Sequence, residues 1–214
     1  MAWAIEDYGL IGDLQTAALV SRDATIDWLC FPRFDSGACF AALLGDVENG
    51  RWAMQPVDGW ETLARRYWRD TLVLETVFLT EGGIVRVIDF MPPRGQAPDV
   101  VRIVECLAGS VRMRSELVIR FDYGSIVPWV RNVEGTRLAV AGPDALAFRT
   151  PVDLRGENMR TVGVFDAHEG ERIPFVLTWY RSHEEPPRAI DAEHALRETE
   201  EFWRDWTAQC EHLH

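Results

Sequence analysis

The sequence predicts a mainly β protein, a two-sheet antiparallel β-sandwich with a short early helix and a C-terminal helix. Three observations carry this. Short β-rich runs recur through residues 8–180 with Gly, Pro and Asp turns every 8–12 residues, the rhythm of antiparallel sheets packed face to face. Apolar residues make up 47% of the chain, enough for a substantial core and too many for a disordered segment. The β pattern is interrupted in only two places, and both have helical character.

In chain order, Thr16–Ser21 and Thr25–Leu29 flank a turn at Arg22-Asp23-Ala24. Thr71–Thr80 (TLVLETVFLT) alternates in the β manner, Glu81-Gly82-Gly83 turns the chain, and Ile84–Phe90 returns. In that return strand Ile84 and Ile88 are expected on one face and Arg86 on the other. Val100–Leu107 and Val111–Phe121 flank Ala108-Gly109-Ser110 and read as a further hairpin. Shorter runs follow at Arg137–Val140, Ala145–Arg149 and Thr161–Phe165, and Ile173–Arg181 closes the series.

Ser36–Leu44 (SGACFAALL), with Asp35 or Ser36 to cap it and Gly45 to stop it, is expected to be the short helix. Ala189–Gln209 follows the Pro186-Pro187 breaker with Ala192, Leu196, Thr199, Trp203 and Trp206 at helical spacing. Burial of both tryptophans against the sandwich or a second copy is expected. The domain reading is a sandwich over 1–185 and a linker helix over 186–214 that leads to a further domain.

Composition excludes several functions. A formal charge of −12 argues against a nucleic-acid partner. All 22 basic residues are arginine, so Walker A, Schiff-base and pyridoxal chemistry lack their lysine. Met1–Tyr8 (MAWAIEDY) has no basic region and no apolar run is long enough to span a membrane, so a cytoplasmic location is expected. Cys30, Cys39, Cys106 and Cys210 lack metal or redox spacing and read as reduced, buried thiols. His168, His183, His194, His212 and His214 read as surface residues, and Glu184-Glu185 and Glu200-Glu201 as solvated acids. No metal site and no cofactor is expected.

The segment with chemical promise is Asp27–Asp35. Arginine beside Trp and Phe is the mixture that stacks on and hydrogen-bonds a sugar, so Trp28, Arg33, Phe34 and Asp35 are the candidate substrate-cleft residues. Core packing of Trp28 and Phe34, with Arg33 paired to Asp35 or Asp27, accounts for the same residues, and at this level both readings stay open.

Ile5–Phe40 resembles the N-terminal signature of bacterial glycoside hydrolase family 15, the glucoamylase-like and trehalase proteins. It departs at Ala24 and Thr25, where Gly and Ser are common. Val87–Pro93 (VIDFMPP), Phe121–Trp129 (FDYGSIVPW) and Thr199–Trp206 (TEEFWRDW) match in the same order. The resemblance implies a β-supersandwich N-terminal domain, a linker helix and a barrel of paired helices carrying two glutamates that hydrolyse terminal α-glucosidic bonds with inversion. No residue here matches either glutamate, so none is assigned a catalytic role. The expected partners are the protein's own barrel, the α-glucoside bound there, and possible self-association as a homodimer; neither nucleic acid nor membrane is among them. A free-standing carbohydrate-binding module is the alternative, and a sandwich mutarotase is a third reading.

Overall fold

The computed structural model describes residues 3–209. Among the described residues, fifteen antiparallel strands form two sheets that share one long strand. The first sheet holds β1 (Gly9–Gly12), β2 (Ala17–Val20), β3 (Thr25–Cys30), β4 (Ala38–Phe40) and β5 (Arg51–Pro56). Next come β6 (Trp60–Tyr67), β7 (Leu74–Thr80), β8 (Gly83–Phe90) and the twenty-residue β9 (Asp99–Val118). The series ends with β10 (Trp129–Val133), β11 (Thr136–Ala141), β12 (Asp144–Arg149), β13 (Leu154–Glu157), β14 (Arg160–His168) and β15 (Arg172–Arg181). One sheet runs β1-β2-β3-β5-β9-β14-β13 with β4 on β3, and the other runs β6-β7-β8-β9-β15-β12-β11-β10.

The two sheets meet in a common core. Ile11, Ile26, Trp52 and Met54 from the first pack with Phe78, Val87, Phe148 and Phe175 from the second. Trp52 meets Phe148 edge-on at 5.3 Å between ring centres. This mainly β, antiparallel architecture is the predicted fold class, and the shared core is consistent with a sandwich.

An ion pair sits in the middle of that core. Arg102 on β9 and Asp89 on β8 are both fully buried. The guanidinium donates to both Asp89 carboxylate oxygens (2.7 and 3.1 Å), to Trp52 O (2.8 Å) and to Ala24 O (2.6 Å). It also lies 5.1 Å from the centre of the Trp52 ring. Asp89 belongs to the VIDFMPP motif, so that motif serves here to tie the two sheets together.

The helix α1 (Ala192–Ala208) is capped by Asp191, whose carboxylate accepts from His194 N at 2.8 Å. Its Ala192, Ala195 and Leu196 cover Ile88, Phe90, Val101, Ile103 and Val176 on the outer face of the second sheet. Arg172 on β15 fixes it in place through Glu193 (2.7 and 3.0 Å). Trp203 is buried as expected, but Trp206 is 49% exposed. It lies off the buried stripe, with its ring tilted 33° to that of Phe202 at 6.1 Å between centres.

Three expectations are corrected. Ser36–Leu44 is not a helix: Ala38–Phe40 is β4, paired with β3, and only Ala42–Leu44 makes a 3-10 turn. Ser36, the expected cap, instead accepts from Arg33 N (3.2 Å). Ala108-Gly109-Ser110 does not reverse the chain, because β9 runs straight through it. Its first half pairs with β8 and β15, its second with β5 and β14, and Gly109 (φ +73°) sits at the crossing. Ile84, Arg86 and Ile88 share one face, as their two-residue spacing requires. Arg86 is accommodated there by Glu75 and Glu105 and by the Trp68 ring, whose centre is 5.7 Å away.

Candidate functional site

Trp28 is delivered by β3, which ends at Cys30, and the chain leaves the sheet through Phe31-Pro32. Proline fixes φ and removes a donor, so pairing stops there. The following loop is bound to two other motif segments. Phe34 N donates to Gln15 O (3.0 Å), and Ser36 N to Arg33 O (3.1 Å). Beneath it, Asp13 accepts from Gln15 N and Thr16 N (3.0 and 2.8 Å). Asp13 also accepts from Arg94 Nε (2.8 Å) and lies 2.7 Å from Nη2 as an ion pair, while Arg94 Nη1 donates to Gln15 Oε1 (3.2 Å). The side chain of Asp13 is fully buried and that of Arg94 nearly so. The GLIGDL, FPRFDS and MPPR segments are therefore joined at one end of the molecule.

Arg33, Phe34 and Asp35 all project from this end. Arg33 donates to both carboxylate oxygens of Asp35, Nε to Oδ1 at 2.9 Å and Nη2 to Oδ2 at 3.2 Å. The pair holds the Asp35 carboxyl below the usual carboxylate range and raises the guanidinium. Their side chains are 66% and 72% exposed, so water screens the attraction and it adds little stability. What the pairing does is orient the guanidinium fork while leaving donors open. Phe34 is 62% exposed and takes no part in the core.

Trp28 is placed differently. It is half-buried against Cys30, Ala38 and Ala41, and its ring lies 6.0 Å from that of Tyr123. Of the four candidate residues, Arg33, Phe34 and Asp35 are thus exposed on one loop, while Trp28 packs against Cys30, Ala38, Ala41 and Tyr123. Asp27 pairs with neither Arg33 nor Asp35. It accepts from Tyr8 OH (2.8 Å); burial raises its carboxyl, and burial with this bond raises the Tyr8 hydroxyl.

Tyr123 is the residue at this end that its motif alone did not single out. Asp122 and Tyr123 adopt left-handed backbone (φ +49° and +57°), followed by Gly124 at +104°. Asn49 Nδ2 holds the turn by donating to Tyr123 O (3.2 Å). A half-exposed Tyr in an FDYG turn is the available signal.

The chemistry on offer is hydrogen bonding and ring stacking by side chains exposed at one end of the molecule. Among the described residues no group of three or more His, Cys, Asp or Glu could hold a metal ion. His168, His183 and His194 are exposed, as are Glu184, Glu185 and Glu201, while Glu200 pairs with Arg204 (2.8 Å). Cys30, Cys39 and Cys106 are free and buried. Cys210, His212 and His214 lie outside the described residues. No described helix is long and apolar enough to cross a membrane.

Residues 1–157 match the family described as "Trehalase-like, N-terminal". The chain belongs to this trehalase-like N-terminal family. Curated relatives agree with the family match. A trehalase of Thermoplasma volcanium is 28% identical over 95% of this chain, and one of Mycolicibacterium smegmatis is 29% identical over 94%. Trehalase 1 of Sulfolobus acidocaldarius is 30% identical over 67%. These alignments cover 34%, 34% and 23% of the relatives, so this trehalase-like chain spans about a third or less of their length. The exposed Arg33–Asp35 loop and the Asp13–Arg94 pair beneath it both lie within the matched residues.

Proposed function

We propose that this chain is the non-catalytic N-terminal domain of a trehalase- or glucoamylase-like glycoside hydrolase of family 15. In this reading residues 1–185 form the β domain, and 186–214 lead as a linker into a catalytic barrel. The parent reaction is inverting hydrolysis of a terminal α-glucosidic bond, with trehalose the first substrate to test. The observation that carries the reading is the trehalase-like N-terminal match, together with relatives named trehalase that extend well beyond the aligned third. The free, buried thiols support a cytoplasmic setting.

The Arg33–Asp35 loop is proposed to form part of the rim of the substrate cleft. Arg33 offers open donors to sugar hydroxyls or to a barrel carboxylate, and Phe34 offers a ring face. A free-standing binding module fits less well. Such a module sets several exposed rings on one sheet face, whereas Phe34 and Tyr123 lie in loops and the in-register neighbours of Trp129 are Val140 and Ala145.

Arg33→Ala in the longer polypeptide tests the loop. A lining role predicts that kcat/KM on trehalose falls at least about tenfold, roughly 1.4 kcal/mol of transition-state binding. The melting temperature should stay put, because the side chain is exposed and bonds only to Asp35. Turnover within about twofold of wild type, or a lower melting temperature with unchanged turnover, rejects the lining role.

A further inference from the structure

Eighteen large apolar side chains are exposed among the described residues, and six of them fall between Tyr123 and Val133. The whole of β10 is exposed and forms the free edge of the second sheet. Trp129 at its start is 78% exposed. Beside it a groove of about 300 Å³ is lined by Val127, Pro128, Val130 and Met159, together with Arg137 and Arg160.

Met159 is the telling residue. It sits at the tip of the β13–β14 hairpin with Asn158, both at positive φ (+57° and +49°). Two-residue hairpin turns of this kind favour Asn followed by Gly, because a side chain at the second position is strained. Here the position carries a long apolar side chain that is 76% exposed. The hairpin gains nothing from it internally. A flexible thioether on a solvent-exposed tip suits contact with another apolar surface. An uncovered, largely apolar edge strand next to it is a surface that proteins ordinarily shield.

We propose that β10 and the Val127–Met159 groove are a docking surface for the C-terminal two thirds of the longer trehalase-like polypeptide. The proposal rests on the reading above that this chain is the N-terminal part of such a polypeptide. The occupant is chosen on length: the Thermoplasma and Mycolicibacterium relatives carry roughly twice as much chain again outside the aligned region. Helix α1 lies over β8, β9 and β15, which leaves β10 without a cover from within the described residues.

Met159 supplies its own probe. Met54, Met91 and Met113 are buried, so sulfoxide formation by dilute hydrogen peroxide, followed on the peptide that carries Met159, reads exposure there with those three as internal controls. In the 214-residue chain Met159 should oxidise at about the rate of a free methionine. In the longer polypeptide it should oxidise at least about tenfold more slowly, and Trp129→Ser, a change at an exposed position, should restore much of the rate. Equal rates in both proteins overturn the docking surface. Protection in the 214-residue chain that rises with concentration, alongside a dimer by sedimentation, assigns the surface to a second copy and also overturns it. A coding sequence that ends at His214 defeats the underlying reading, and the docking proposal with it. That outcome is read from the gene and not from the oxidation rates.

Discussion

Replacing Asp89 with alanine is expected to cost about 3–5 kcal/mol of unfolding free energy, the usual penalty for removing one partner of a buried ion pair. The cause is the charge left behind. Arg102 is fully buried and cannot lose its proton, so without Asp89 its guanidinium keeps only the carbonyls of Trp52 and Ala24 and the Trp52 ring. The melting temperature should fall by roughly 6–20 °C at the 2–4 °C per kcal/mol typical of this chain length. Urea titration of both proteins measures the loss directly. Asp89→Leu combined with Arg102→Met should recover much of it, because the pair's strength offsets a desolvation penalty that an apolar pair never incurs. A single-variant loss below about 1 kcal/mol would mean that the pair does not hold the sheets together.

Asp99→Asn is expected to stabilise the protein above neutrality. Asp99 is buried at the start of β9, and its carboxyl is pushed up to about 6, chiefly by desolvation. The Thr178 hydroxyl and the charge of Arg149 pull the other way without cancelling it. The sign follows from linkage. A raised folded-state value means that the protonated form is preferred in the fold, so its stabilising contribution is complete below about pH 4. It is lost as pH rises through about 6. Asparagine cannot ionise and can still accept from Thr178. The variant should therefore match wild type near pH 4 and exceed it by up to about 3 kcal/mol at pH 7.5, from roughly two pH units at 1.36 kcal/mol each. Denaturation midpoints from pH 4 to 8 test this, and parallel curves for the two proteins would contradict it.

Elements defined by local chemistry were legible in the sequence. The turn at Arg22-Asp23-Ala24 separates β2 from β3, Glu81-Gly82 separates β7 from β8, and the helix predicted at Ala189–Gln209 is α1 at Ala192–Ala208. Elements defined by distant partners were not. Ala38–Phe40 is helix-compatible in isolation, but β3 offers it a pairing edge and Cys39 O accepts from Arg120 N (3.1 Å). Tertiary hydrogen bonds outweigh a weak local preference there. Ala108-Gly109-Ser110 permits either a reversal or a bend, and the choice is made by four neighbouring strands. The polar β6 and the short β1, β5, β10 and β13 carry too little alternation to be read as strands.

The candidate site shows the same division. The loop placement of Arg33, Phe34 and Asp35 could be read from a composition that a sandwich does not need. Local sequence could not show that the Trp28 ring meets Tyr123, or that Asp13 and Arg94, far apart in the chain, form a buried pair beside the loop.

The central claim is that this chain assists a glycoside hydrolase without containing its catalytic carboxyls. Glucose release from trehalose, maltose and maltotriose by the purified 214-residue protein tests that claim most directly. An inverting mechanism needs two carboxyls roughly 6.5–9.5 Å apart with a water between them, and both are assigned here to the barrel. The account predicts release no greater than the buffer blank from this chain, and turnover from the longer polypeptide under the same conditions. Enzyme-dependent glucose from the 214-residue protein alone would contradict it.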